Sequence, residues 1–495
     1  MPTWKLALQR RSGCVSSLFP VRCGVVSKIA VAFPFANGAF NVRVSGLHQL
    51  LRRAIMAAST ECTQTKEERM YDTGSTTFML ICTMLVFFMT PGLAFFYGGL
   101  SRRKNVVNTM LMVLGSIGLV GVLWIVAGWS IAYGGDGSSP IIGGLDQLFC
   151  LPVLGEVLQA AKDGGAADGT AYPSIINIAF QMAFAMITAA IITGSLAGRA
   201  KFGAVAAFLS IWLLVVYAPL AHMVWGGDGS LVGGIIGALD FAGGDVVHIS
   251  SGLTGLILCL MLGRRRGFGM LSYRPHNVPF VALGAGLLWF GWFGFNGGSE
   301  FKADAVAALA ILNTVTASAA GMVSWLAVER VRTGKPTLVG ASTGLVAGLV
   351  VVTPGAGFVE PWAALVMGLI VSPACYAAIS HLKSRLGYDD ALDAFGCHGI
   401  GGILGGVLTG LFCVPELSWT GKGGLLYTGD PSLLVAQVLG ILVTVAIVAV
   451  LDVVIALAVR ALFGGSLRVG EQDEALGLDA CEHGESAYPS FSGLD

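Results

Sequence analysis

Charged side chains are scarce in this sequence of 495 residues. Asp, Glu, Lys and Arg make up 12% of it, about half of the roughly 25% that is usual for soluble domains. Hydrophobic residues make up 55%, and the mean hydropathy is +0.77. The 29 basic and 29 acidic residues cancel, so no overall field favours nucleic acid or an acidic partner. The composition excludes an ordinary soluble domain and predicts an integral membrane protein.

Paired cysteines are also lacking. The ten cysteines are scattered, form no CxxC pair and lie mostly in apolar runs. This spacing predicts neither a disulfide framework nor a zinc site, and small buried thiols are the simpler interpretation. Glycine, in contrast, is abundant at 70 residues, which lets membrane helices approach one another closely. We expect a tightly packed bundle without a metal or cofactor.

Acidic residues are absent from the first 60 positions, which carry eight Lys or Arg. Such a segment is typical of an organellar targeting arm, but it equally fits upstream sequence read from too early a start, because Met56 and Met70 are both available as later starts. We therefore predict an N-terminal extension at 1–71 that stands outside the fold, a membrane domain at 72–465 and a C-terminal tail at 466–495.

Apolar stretches long enough to cross about 30 Å of hydrocarbon recur through the membrane domain. They predict eleven transmembrane helices, at 76–98, 106–133, 173–197, 203–224, 242–262, 278–297, 303–328, 338–353, 361–382, 396–413 and 432–463. The fold class expected is an all-α polytopic membrane protein.

Loop charge predicts the orientation. Basic connections such as SRRKN at 101–105 and GRRRGFG at 263–269 follow odd-numbered spans, whereas the alternate loops are acidic or neutral. Because basic loops favour the cytoplasmic side, the N-terminus is expected outside and the C-terminus inside.

Two matching stretches indicate an internal repeat. The stretch LDFAGGDVVHISSGLTGLI at 239–257 carries Asp240 and His248, and a second stretch from residue 392, LDAFGCHGIGGILGGVLTG, repeats this pattern with Asp393 and His398. FFYGGLSR after span 1 likewise resembles FGFNGGSE after span 6. With an odd number of spans, these matches predict two inverted five-helix repeats plus a long last helix, and transport sites lie at the interface of such repeats.

Histidines are costly in apolar segments and are a hypothesis of function there. Taken singly, His248 or His398 is equally compatible with a hydrogen-bonded core histidine. A membrane haem protein is a further alternative, with both as axial ligands, although two haems would need four spaced histidines.

Longer motifs surround these residues: DTGSTTFMLICTMLVFFMTPGLAFFYGGLSRRKNV, YAPLAHMVWGGDGSLVGGIIGALDFAGGDVVHI, RPHNVPF, GWFGFNGGS and DAFGCHGIGGILGG. Together they resemble the ammonium transporter family (Amt/Mep/Rh), on its Amt branch, from about residue 72 to 490. The resemblance implies an outer ammonium-binding site at Trp225, Phe184 and Ser299, and a phenyl gate formed by Phe184 and Phe295.

The resemblance also implies a twin-histidine pore at His248 and His398 and assigns the family's carboxylate to Asp240. Asp240 precedes a helix, so a structural and electrostatic role as a cap stands beside direct acceptance of a proton. Carrying an intact ion through a dry pore costs tens of kcal/mol in the Born limit. Removing its proton costs only about 1.4 kcal/mol for each unit by which the pKa of the ion exceeds the pH. We expect a transporter rather than an enzyme: NH4⁺ is recruited and deprotonated, and NH3 passes, with the proton possibly co-conducted.

The resemblance extends to partners. It implies a homotrimer in the lipid bilayer of a plasma or inner membrane, or of an organelle if the N-terminal arm is real. Methylammonium should act as a substrate analogue, and the tail resembles one that docks a PII-type signalling protein. The family often has Glu where Gly198 stands and Pro where Gly470 stands. An Amt-like ammonium sensor that signals through its tail is the alternative function.

Overall fold

The helices were located in a computed structural model that describes residues 71–163, 172–270 and 273–488. Within these ranges, eleven helices are long and apolar enough to cross a membrane. Residues 1–70 of the predicted extension and 489–495 of the predicted tail lie outside the described residues.

We number the eleven helices α1 to α11. They span Thr73–Leu100, Arg103–Tyr133, Ile175–Leu196, Phe202–Trp225, Gly244–Leu262, Val278–Gly298, Ala305–Arg332, Leu338–Gly355, Pro361–Leu386, Phe395–Phe412 and Ser432–Leu462. The prediction of eleven helices is confirmed, and the largest boundary differences are four residues, at the ends of α7 (332 against 328) and α9 (386 against 382).

Several helices begin where a side chain satisfies otherwise unpaired N–H groups. The Asp72 carboxylate accepts hydrogen bonds from the first turn of α1, at 2.7 Å from Ser75 N. Asn277 caps α6 and Asp304 caps α7 in the same way. Short polar residues ahead of an apolar run therefore set these starts.

The two halves of the bundle use the same helix neighbours. In the first half α1 packs on α2 and α3, α2 on α4, and α3 on α5. Each of these pairs recurs among α6 to α10, and α1 packs along α6 between the halves. The fold is thus an all-α membrane protein built from two inverted five-helix repeats plus the long α11. The N-out, C-in orientation stays a prediction.

Helices α5 and α10 cross at a point that only glycine permits. A Cβ added to Gly252 on α5 would lie 2.3 Å from the backbone N of Gly399 on α10. The two backbones therefore touch directly, which brings the histidine-bearing starts of both helices together.

After α11, the tail packs back against the bundle. Arg468 forms an ion pair with Glu474 at 2.6 Å, and the Asp479 carboxylate accepts a hydrogen bond from Asn108 N at 2.9 Å. Gly470 has φ −62°, which proline would also adopt, so the missing family proline does not change this turn. Gly198 has φ +80°, a conformation that favours glycine over the family's glutamate.

Candidate functional site

The start of α5 is fixed by one carboxylate. Asp240 Oδ1 accepts hydrogen bonds from Gly243 N at 2.7 Å and Gly244 N at 2.6 Å, and Oδ2 accepts from Asp245 N at 2.8 Å and Val246 N at 3.4 Å. These N–H groups open the π-helical turn Gly244–Ile249, which carries His248. Both carboxylate oxygens are therefore occupied by the backbone.

The counterpart in the second half is Asp390, not Asp393 as the sequence comparison predicted. Asp390 precedes His398 by the same eight residues that separate Asp240 from His248. Its carboxylate accepts hydrogen bonds from the first turn of α10, including Phe395 N at 2.9 Å.

Asp393 has a different environment. It lies at φ +62° and forms an ion pair with Lys383 at 2.7 Å. Matching the letters LD in the two stretches gave the wrong pairing, because spacing to the histidine, rather than local letters, fixes the geometry. Asp393 anchors the loop before α10.

The two histidines from α5 and α10 face each other. His248 Nδ1 lies 3.3 Å from His398 Nδ1, and both rings are buried. His248 also stacks against Trp292 and Phe295, with ring centroids 5.5 and 6.1 Å apart. If both imidazoles are neutral, one Nδ1 donates and the other accepts, so the pair has one N–H at Nδ1 and one at Nε2.

Three cavities follow one another past these rings. The Trp225 cavity, about 310 Å³, is bounded by Phe184, and the histidine cavity, about 10 Å³, is bounded by Phe295 and both histidines. The Tyr273 cavity, about 220 Å³, lies on the other side of His398. Phe184 and Phe295 stack at 4.0 Å with planes 13° apart, between the first two cavities. The middle cavity is about the size that holds one water-sized molecule.

The residues implied for the outer site line the Trp225 cavity together. Trp225 Nε1 donates to Asp240 O at 2.8 Å, and its ring meets Phe184 edge-on at 6.2 Å. Ser299 Oγ donates to Phe295 O at 2.8 Å, which leaves its lone pairs available. Trp225 thus packs against Phe184 inside the cavity.

Gln181 is a cavity residue that the sequence reasoning missed. It lies one helical turn before Phe184 on α3, its side chain is 6% exposed, and its Oε1 has no hydrogen-bond partner among the described residues. A buried acceptor facing a cavity is satisfied by a ligand that carries N–H or O–H groups. A polar residue in an otherwise apolar helix was the signal available in the sequence.

No group of three His, Cys, Asp or Glu side chains is placed to hold a metal ion within residues 71–163, 172–270 and 273–488. The polar residues of the Trp225 cavity include Gln181, Ser299, Asp228 and Asp240, and the histidine cavity has the two imidazoles. Such a set suits a small hydrogen-bonding solute.

Comparison with known proteins gives one family. The model of the Ammonium Transporter Family matches residues 77–488. An ammonium transporter of Aquifex aeolicus is 46% identical over 422 residues, which cover 85% of this chain and 95% of that protein. An ammonium transporter of Bacillus subtilis is 46% identical over 415 residues, or 84% and 98% of the two chains.

Solved structures are similar as well. Saccharomyces cerevisiae Mep2 superposes with a TM-score of 0.75 at 32% identity and covers 86% of this chain and 93% of its own. A structure titled Sensor Amt Protein gives 0.73 at 27% identity and covers 83% and 98%. With its family match, its relatives and its helical bundle in agreement, this chain belongs to the ammonium transporter family.

Proposed function

We propose that this protein recruits NH4⁺ at the Trp225 cavity, removes its proton and passes NH3 along His248 and His398. The observation that carries this proposal is the order of the three cavities, with an aromatic pair and then an imidazole pair between them. Membership of the ammonium transporter family supports the choice of solute.

Recruitment rests on aromatic faces and hydrogen-bond acceptors. Trp225 and Phe184 attract a small cation with about 0.5 to 2 kcal/mol, depending on how far the site is desolvated. The oxygens of Ser299 and Gln181 accept N–H bonds from the bound ion. A potassium ion has no N–H to donate, so the same groups favour ammonium.

Passage requires loss of the proton because the histidine cavity is small and mostly apolar. It is lined by side chains such as Leu93, Ile187 and Leu288, and it has space for about one small molecule. An intact ion would have to lose its hydration there, at a cost of tens of kcal/mol in the Born limit. Deprotonation costs only about 1.4 kcal/mol for each unit by which the pKa of the ion exceeds the pH. In a neutral pair joined through its Nδ1 atoms, one Nε2–H donor and one Nε2 acceptor remain for NH3.

Asp240 acts mainly through structure and electrostatics in this proposal. Four backbone N–H groups already occupy its two oxygens, so taking a proton would break hydrogen bonds at the start of α5. Its negative charge still favours a cation in the adjoining cavity. The released proton is returned to the outer side or conducted separately, and the charge moved per substrate distinguishes these routes.

The setting of the protein completes the proposal. The basic loops support an outside N-terminus, which makes the Trp225 cavity extracellular and the Tyr273 cavity cytoplasmic. We place the membrane domain at 72–465 in a plasma or inner membrane, as a homotrimer. The tail at 466–495 would then lie in the cytoplasm, where a PII-type protein is the proposed partner.

A sensor is the second candidate. The contacts of Glu474 with Arg266 and of Asp479 with Asn108 link the tail to the loop after α5 and to the start of α2. One structural neighbour is titled a sensor. Signalling would act through this tail. Transport in the native protein separates the two functions.

The test is methylammonium uptake together with current in a transport-deficient cell. Ser299→Ala should raise the half-saturating concentration about tenfold, because it removes one hydrogen bond to a charged ligand. His248→Ala should lower uptake about two- to tenfold through loss of a neutral hydrogen bond in the pore. His381→Ala, an exposed histidine on α9, is the matched control and should behave as native. An inactive native protein with normal surface expression would remove the transport function.

A further inference from the structure

Trp419 is an aromatic residue of the Trp225 cavity that the family motifs do not include. It lies between α10 and α11 and lines the cavity beside Thr420. Its ring packs on Phe241 at 5.8 Å with planes 25° apart and meets Phe358 edge-on at 4.8 Å. The residue is 56% exposed, yet two buried rings hold it in position.

Trp419 and Trp225 both contact the segment Asp240–Phe241. Trp225 Nε1 donates to the carbonyl of Asp240, and Trp419 stacks on Phe241, the next residue. This segment is itself fixed, because Phe241 N donates to Pro354 O at 3.0 Å and the Asp240 carboxylate caps α5. The two indole rings therefore contact adjacent residues, one through a hydrogen bond and one through stacking, and both line the same cavity.

The cavity has space for more than one position of a small cation. Its volume of about 310 Å³ exceeds by far the ~30 Å³ that a water-sized ion needs. Asp228, an exposed residue, also belongs to the lining and adds negative charge to the cavity. Indole faces are the strongest aromatic partners for ammonium-type cations.

We propose that Trp419 forms a second cation-binding face of the Trp225 cavity, for ammonium and for small alkylammonium ions such as methylammonium. The inference rests on the proposed function for its place in transport, but the binding it describes is independent of passage through the pore. Capture at Trp419 raises the local concentration of the cation beside Trp225, so its effect falls on affinity and not on the maximal rate.

The first experiment compares the concentration dependence of methylammonium uptake. Trp419→Leu should raise the half-saturating concentration about two- to fivefold, as expected for loss of an exposed cation–aromatic contact, with an unchanged maximal rate. Trp419→Phe retains an aromatic face and should raise the half-saturating concentration less than twofold. Trp362→Leu is the matched control, because Trp362 is similarly exposed on α9 but does not line the cavity.

The second experiment measures methylammonium binding to the purified full-length protein by calorimetry. The same two- to fivefold shift in dissociation constant is expected for Trp419→Leu. Equal constants in native and Trp419→Leu proteins, or a lower maximal rate with unchanged half-saturation, would overturn the proposal and leave the proposed function standing. A native protein that binds through Trp419 but transports nothing would overturn the proposed function alone.

Discussion

Replacing Asp240 by asparagine separates a structural carboxylate from a proton acceptor. Asparagine keeps one acceptor oxygen, but its NH2 group replaces the second one. An NH2 group is a donor and cannot accept hydrogen bonds from the backbone N–H groups that the second oxygen had satisfied. If the remaining oxygen faces Gly243 and Gly244, the N–H groups of Asp245 and Val246 lose their acceptor. The π-helical turn that holds His248 is then weakened at its first residues.

The magnitude follows from the distances. A hydrogen bond to a charged group contributes about 1.5 to 3 kcal/mol, and a contact near 3.4 Å contributes little. Asp240→Asn loses one bond of 2.8 Å and one weak contact of 3.4 Å, for a cost of about 1.5 to 3 kcal/mol. Asp390→Asn is the matched variant: Ser195 Oγ, at 2.7 Å, can reverse and accept from the new NH2, so the cost is about 1 to 2 kcal/mol.

The assay is thermal unfolding of the solubilised protein, followed by methylammonium uptake normalised to folded protein at the cell surface. We expect Asp240→Asn to lower the unfolding temperature more than Asp390→Asn, and both to reduce uptake by comparable factors, since each carboxylate positions one imidazole. Loss of uptake confined to Asp240→Asn, at native stability, would refute this reasoning and make Asp240 the proton acceptor.

Two further predictions concern stability. Burial raises the pKa of Asp389, but the hydrogen bonds and charge of Arg265 outweigh it, so this pKa lies below its ordinary value. The stabilisation is therefore present above the unfolded-state pKa of about 3.9 and is lost as the pH falls through the folded-state pKa. Melting temperatures of native protein and Asp389→Asn should differ by a constant amount from pH 6 to about pH 4 and approach each other only at lower pH, and an unchanged difference at lower pH would contradict this. Gly252→Ala should abolish the monodisperse peak in size exclusion, because its methyl group meets backbone of α10, whereas Gly118→Ala, with open space at its Cβ, should not.

The helices could be predicted from the sequence because each depends on a local property. A lipid-spanning helix needs an apolar run of sufficient length, and each of the eleven helices has such a run with at most two charged residues. The approach of His248 to His398 could be anticipated from the repeat. The stacking of Phe184 on Phe295 required the family resemblance, because an isolated phenylalanine in an apolar helix carries no signal of its partner.

The rest of the site depends on contacts between distant segments. Trp419 reaches Phe241 from the loop before α11, and nothing in either local sequence indicates that contact. Asp390 was overlooked because the sequence repeats the letters LD around Asp393, while the geometry repeats the spacing to the histidine. Gln181 could have been found, since it is a polar residue one turn from Phe184 in an apolar helix.

The stacked rings of Phe184 and Phe295 have a kinetic consequence. With 4.0 Å between ring centres, nothing can fit between them, so on the proposed route through the pore a solute must wait until one ring moves aside. Phe295 is backed by Trp292 at 5.4 Å and His248 at 6.1 Å, and such a swing therefore disturbs several packed rings at once. Conduction would then consist of discrete, thermally activated events, and the transport rate would rise more steeply with temperature than it does in an open channel.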